Sequence, residues 1–182
     1  RYTLVALCAL STLICYMDRV SIAVAIIPMA GEYGWTRTVQ GIVLSAFFVG
    51  YLGTQVLGGW LADRGGGKAI LGYGVLLWSL FTFITPPAAA ISLTVLLLAR
   101  IGMGLGEGMA FPAIHNLFAH WVPAQERARS VAFNLSGIPL GTVAALLLVP
   151  WIAARWGWPM TFYAFGFLGL AWYVLWYFLA AD

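Results

Sequence analysis

The sequence predicts an all-α membrane protein, six transmembrane helices arranged as two inverted three-helix repeats, and three observations carry that prediction. First, 63% of the 182 residues are hydrophobic and only 8% are charged, whereas a soluble domain is about a quarter charged. Second, continuous apolar segments, bounded by Gly, Pro and charge, fall at 3–29, 38–62, 69–86, 91–118, 130–153 and 159–180, close to the length of about 20 residues that a spanning helix needs. Third, "WLADRGG" at 60–66 is echoed by "WIAARWG" at 151–157, so the second span ends as the fifth does. A three-helix unit repeated once is inverted across the membrane. A transmembrane barrel would alternate apolar and polar residues, and these runs do not. The length leaves no room for a soluble domain, so residues 1–182 form one six-helix bundle.

The first span begins at Arg1 without a methionine and stays apolar far longer than a signal-peptide core; it reads as a trimmed first helix. Its middle, "ICYMDRVSIA" at 14–23, holds Asp18 and Arg19. An Asp or Arg at the centre of a bilayer helix costs about 2.5–3.5 kcal/mol on insertion scales. As sequence neighbours the two point about 100° apart and do not neutralise each other. Cys8 and Cys15, the two cysteines, sit about 10.5 Å apart by helical rise, too far for a disulfide.

The second span carries Gly50, Gly53, Gly58 and Gly59, and the fourth carries Gly102, Gly104, Gly106 and Gly108; small residues at this spacing let helix backbones approach. Pro112 and Pro139 lie inside spans and predict kinks. Trp35, Trp121, Trp156, Trp158 and Trp176 fall near span ends and read as headgroup-level anchors. Outside the spans, one side of the membrane holds Arg1, Arg64, Lys68, Arg127 and Arg129, and the other holds Arg37 and Arg155. The positive-inside rule then places both termini in the cytoplasm. These bases form no cluster, which excludes a nucleic-acid surface.

Only the first and fourth spans carry charge inside. On the fourth, Arg100 and Glu107 are seven residues apart, within about 20° of each other around the helix and about 10.5 Å along it. Each therefore needs a partner from another helix: Arg19 with Glu107, and Asp18 with Arg100. Two acids and two bases then make a net-neutral buried network. A static helix clamp is one reading, although small residues and hydroxyls would make a clamp at lower cost. The other is a coupling device, because ionisable groups at mid-membrane mark proton and substrate paths. Burial disfavours the ionised form of a carboxyl and a nearby guanidinium favours it, so an Arg that moves onto an anion lets the acid take a proton. His115 and His120 lack the spacing of a helical metal pair. An intramembrane serine protease is excluded because Ser136 has no positioned base; an enzyme is not expected.

At 58–70 the chain reads "GGWLADRGGGKAI", an acid and two bases in a tight glycine-rich connection. This resembles the signature loop of the major facilitator superfamily. The resemblance implies a cytoplasmic gate of Gly59, Asp63, Arg64, Gly67 and Lys68, with Glu126, Arg127 and Arg129 of "PAQERARS" at 123–130 as its companion. Further stretches, "CYMDRVSIAVA", "SAFFVGYLGTQVLGGWLADR", "ARIGMGLGEGMAFPA" and "WVPAQERARSVAF", resemble the anion:cation symporter family, which includes bacterial galactonate and hexuronate transporters, sialin and vesicular glutamate transporters. The similarity covers essentially the whole chain and identifies it as the amino-terminal six-helix half of such a carrier.

The resemblance implies that Arg19, Tyr51 and Arg100 bind substrate and that Asp18 and Glu107 carry protons. It implies proton-coupled symport of an organic anion, a carboxylate such as a sugar acid or an aromatic or aliphatic acid, by alternating access. It also implies a bacterial inner membrane, no cofactor beyond protons as coupling ion, and a second six-helix half, whether a separate chain, a missing carboxy-terminal half or a self-pairing copy. The partners expected are a small organic anion and the lipid bilayer. Ile138 stands where the galactonate carrier has a polar glutamine, which favours a less hydroxylated anion, with Asn134 and Ser136 nearby as compensating groups. A non-transporting sensor or assembly subunit on the same half-fold is the rival expectation.

Overall fold

The computed structural model describes residues 1–180. Among the described residues there are eight helices: α1 (Tyr2–Tyr33), α2 (Arg37–Gly65), α3 (Gly67–Ile91), α4 (Leu93–Gly108), α5 (Ala110–Trp121), α6 (Ala124–Leu135), α7 (Gly137–Trp156) and α8 (Trp158–Leu179). Read as α1, α2, α3, α4 with α5, α6 with α7, and α8, they give six spans long and apolar enough to cross a membrane. The two broken spans are those with the expected kinks. Pro112 and Pro139 have no N–H for the carbonyls of Gly108 and Leu135, four residues back, and the helix gives way in between, at Met109 and Ser136. By contrast α3 runs straight through Pro86 and Pro87 to Ile91, past the end expected at 86. The fifth span starts earlier than 130, because α6 begins directly after Pro123, with Glu126 in its first turn, a residue order that suits a helix N-terminus.

Thr36 and Ser92 cap α2 and α4 by accepting hydrogen bonds from Val39 N and Val95 N at 3.4 and 3.2 Å. Glycines with positive φ turn the chain at Gly34, Gly66 and Gly157. The last two close the two echoed segments, with φ of 82° and 85°, so the sequence repeat is also a repeat of conformation. Packing follows it. Helix α2 lies on α4 and α1 on α7; α3 lies on α4 and α1 on α8; α3 and α8 meet each other. Exchanging the two three-helix units interchanges the first two contacts and the next two, and maps α3–α8 onto itself.

Close backbone approach explains the glycines of the fourth span. A side chain at Gly104 would collide with the Phe47 carbonyl on α2, and one at Gly106 would meet the Gly74 carbonyl on α3 at 2.8 Å. Gly104 and Gly108 thus face one neighbour, Gly102 and Gly106 the other. The buried apolar side chains form two groups. One, toward the termini, includes Leu7, Cys15, Phe47, Trp78, Phe118, Trp172 and Trp176; the other, toward the far end, includes Ile22, Met29, Leu96, Val149, Trp158 and Phe162. Asp18 and Arg19 fall between Cys15 of the first group and Ile22 of the second, at mid-depth.

Trp158 and Trp176 correct the reading of the five tryptophans as headgroup-level anchors, since both are buried inside the bundle. The indole of Trp176 stacks on Trp172 and donates to the Lys68 carbonyl at 3.0 Å, and that of Trp158 donates to Glu32 at 2.7 Å. A position near a helix end fixes depth in the membrane; the face is fixed by neighbours. Trp121 and Trp156 are exposed.

Candidate functional site

Arg19 and Glu107 meet between α1 and α4. The Arg19 Nε and Nη2 groups both donate to Glu107 Oε2, at 3.0 and 2.9 Å. The acid is fully buried, while the Arg19 side chain keeps 19% of its surface exposed. The Cys15 thiol, one turn before Arg19, donates to the same Oε2 at 3.3 Å. Oε1 of Glu107 is buried and has no hydrogen-bond partner. The guanidinium is walled by three rings, Tyr16 at 4.7 Å, Phe47 at 5.0 Å and Tyr51 at 4.7 Å, a cation–π setting that steadies the charge without neutralising it.

Arg19 and Glu107 are 88 residues apart. The same interval separates Leu13, which abuts Gly141, from Ile101, which abuts Gly50. Equivalent positions of the two repeats therefore carry the base and the acid, and the ion pair lies across the internal pseudosymmetry.

The second expected pair is not closed. Neither buried Asp18 oxygen is in good hydrogen-bond geometry, nor is Arg100 Nε, and the indole N–H of Trp78 on α3, which has no other partner, faces the Asp18 carboxyl. Arg100 Nη1 points at Met103 Sδ, 3.0 Å away, and its guanidinium lies 5.5 Å from the Phe47 ring centre. Asp18 feels the fields of Glu107 and Arg100 but touches neither through a hydrogen bond. The correction has a physical reason: a helix wheel gives direction about the axis, whereas Arg100 is drawn along its own helix onto sulfur and the Phe47 face.

Tyr51, expected to contact substrate, is one of the rings around Arg19. Asn134 accepts from Thr12 through Oδ1 at 3.0 Å, and the Ser136 hydroxyl donates back to the Phe133 carbonyl at 2.6 Å. Sequence reasoning missed Cys15, Tyr16 and Phe47 as site residues. The first two were legible, because residues three and four before Arg19 share its face.

At the α2–α3 connection, Asp63 accepts from Asn116 Nδ2 of α5 at 2.9 Å. Arg64 lies over Trp60 at 4.2 Å, and the Lys68 carbonyl holds Trp176. Gly67 is close-packed, since a side chain there would meet the Ala113 carbonyl at 2.7 Å, whereas Gly59 has space, with Pro112 3.8 Å away. The companion residues bond elsewhere: Glu126 pairs with Arg1 at 3.4 Å, Arg127 donates to the Ala119 carbonyl at 2.9 Å, and Arg129 is exposed. Asn116, uncharged and at the end of a span, gave no sequence signal.

The family model described as Major Facilitator Superfamily matches residues 8–182. A probable chloroplastic anion transporter 4 of Oryza sativa subsp. japonica is 52% identical over 97% of this chain and 30% of its own length. A chloroplastic sodium-dependent phosphate transport protein 1 of Arabidopsis thaliana is 49% identical over 97% and 34%. A chloroplastic ascorbate transporter of the same plant is 48% identical over 97% and 32%. The chain thus spans about a third of the length of the curated relatives it matches. Among solved structures, a bacterial homologue of the human lysosomal transporter Spinster, inward-facing and occupied, superimposes with a TM-score of 0.88 at 21% identity, covering 98% of this chain and 44% of that one. The inward-open xylose transporter XylE of E. coli gives 0.87 at 18%, covering 100% and 48%. These likenesses show the fold. The relatives' names are chloroplastic and lend no support to a bacterial inner membrane.

Proposed function

Because the chain belongs to the major facilitator superfamily, in a branch whose relatives are anion transporters rather than enzymes, we propose that it is one half of a proton-coupled anion symporter. The observation that carries this reading is the Arg19–Glu107 pair: a buried acid held by a base whose other face stays open among three aromatic rings. An incoming anion competes with Glu107 for the guanidinium. As Arg19 turns to the anion, the stranded carboxylate would be an unpaired charge in a low-dielectric interior, and it takes a proton instead. Binding of anion and proton are thereby linked. Asp18, wholly buried with neither oxygen in good hydrogen-bond geometry, is the second proton site, and Arg100 a second anion contact after it leaves Met103.

The substrate is an anion rich in oxygen acceptors, a carboxylate, an enediolate such as ascorbate, or phosphate; relatives of nearly equal identity are named for the last two. The membrane is that of a plastid, by the same names. The start of α1, the end of α8 and the Gly67 connection lie on the side of the Lys and Arg excess, which by the positive-inside rule faces away from the side that holds Arg37 and Arg155. A second six-helix half completes the site, since carriers of this fold bind substrate between two halves.

The test is uptake into liposomes holding the complete carrier, with labelled phosphate, ascorbate and a panel of carboxylates. Glu107→Gln is expected to abolish pH-driven accumulation and to keep anion exchange. Unchanged accumulation removes Glu107 from the coupling role, and accumulation that follows a sodium gradient but ignores pH replaces the proton by sodium.

A further inference from the structure

Glu107 is held asymmetrically. Oε2 accepts from Arg19 Nε, Arg19 Nη2 and the Cys15 thiol, while Oε1 accepts from nothing although it is equally buried. Cys15 also lies 3.9 Å from Arg19 Nη2, at the joint between base and acid. We propose that Cys15 is a positioning residue for Glu107: its thiol keeps Oε2 in place after Arg19 has turned to the anion, so that the proton is received on Oε1. The proposal rests on the proton-coupled reading above for its role in transport, and on geometry alone for the hydrogen bond.

The physical argument is about what remains when Arg19 leaves. A carboxyl on a flexible three-torsion side chain, stripped of its ion pair, loses its orientation as well as its charge partner. The thiol is a weak donor, but it sits on α1 rather than on the moving guanidinium, and it needs no charge of its own. One oxygen pinned and one bare is the arrangement in which the site of protonation is fixed. The groups that face Glu107 are Cys15, Tyr16, Asp18 and Arg19 from α1, Tyr51 from α2 against Arg19, and Arg100 from α4. Helix α3 presents Trp78 beside Gly106, which does not titrate. Of these Cys15 is the neutral donor bonded directly to the acid.

The bond favours the ionised acid, so removing it makes Glu107 hold its proton to higher pH. Infrared titration of the carboxylic C=O band in the complete carrier, identified by its loss in Glu107→Gln, reads this without any substrate. In Cys15→Ala the midpoint is expected to rise by about 0.3–1 pH unit, the range of a single modest hydrogen bond. Cys15→Ser, nearly the same shape with a better donor, is expected to restore or lower it. Equal midpoints in wild type and Cys15→Ala, or equal shifts in the Ala and Ser variants, overturn the proposal.

A second readout covers the case of a variant that does not fold. With Cys8 and every cysteine outside these 182 residues replaced by Ala as background, the remaining S–H stretching band belongs to Cys15. It is expected at low frequency and should return to that of a non-bonded thiol in Glu107→Ala; a band that does not move overturns the proposal. If the Glu107 band does not titrate at all, it is the coupling reading that fails, and the S–H band then decides the position of Cys15 by itself.

Discussion

The two halves of the buried charge network differ in how they are satisfied. Arg19 and Glu107 share two N–H···O hydrogen bonds, one of their members reaches solvent, and they sit at equivalent points of the two repeats. Asp18 and Arg100 are equally deep, yet share none, and leave three polar atoms between them out of good hydrogen-bond geometry. A buried ion pair adds stability only when its geometry is good enough to offset the desolvation of both ions. The first pair meets that condition and the second does not. The lesson is that net neutrality of a buried cluster is a property of the sum. The energetic weight is carried by one contact, and the other two groups are kept at a cost that packing does not explain.

The strongest break in this comparison is Glu107→Ala. It leaves Arg19 at mid-membrane with a truncated partner, and removing one member of a buried pair costs about 3–5 kcal/mol. Thermal unfolding of the complete carrier in detergent is expected to show that loss, with Glu107→Gln losing less because an acceptor remains. The comparison is sharpened from the other side by the double variant Asp18→Asn, Arg100→Met. With no hydrogen-bonded pair to break and a buried guanidinium replaced by a side chain of similar length beside Met103 and Phe47, stability is expected to rise, by about 1–4 kcal/mol if it follows other replacements of buried charges. A loss of similar size instead would mean that the two are paired through an arrangement the resting structure does not display.

What was legible in the sequence divides along the same line. Six spans, the inverted repeat and the Arg19–Glu107 pair follow from apolar length, an echoed heptapeptide and the need of each buried charge for a partner on another helix, and all three are patterns that no side-chain rotamer can hide. The glycine registers of α4 followed from spacing too, although which neighbour each meets did not. Arg100 was misplaced because four side-chain torsions separate its Cα from its charge, and sulfur and a ring face compete with carboxylate for it. Trp158 and Trp176 were misplaced because the same indole suits a headgroup layer or a core with a carbonyl or carboxylate in reach. Asn116, the partner of Asp63, has neither charge nor periodicity, so only folding brings it into view.

The smallest expected effect is also the most diagnostic. Asp18→Asn keeps the shape of the side chain and removes its ability to ionise. If Asp18 has no ion pair in the resting carrier, the substitution alters stability by less than about 1 kcal/mol, since one unpartnered polar group replaces another. If Arg100 depends on it, the same change strands a buried guanidinium, and a loss of about 3 kcal/mol or more follows. Unfolding midpoints at two pH values separate the cases further. If Asp18 is held protonated, Asn already mimics it and wild type does not rise above the variant at either pH, whereas an ionised Asp18 paired with Arg100 holds wild type above the variant until the pH falls to the range where that carboxyl takes up its proton. A wild type that exceeds the variant at neither pH would mark Asp18 as a group whose role lies in the transport cycle and not in holding the helices together.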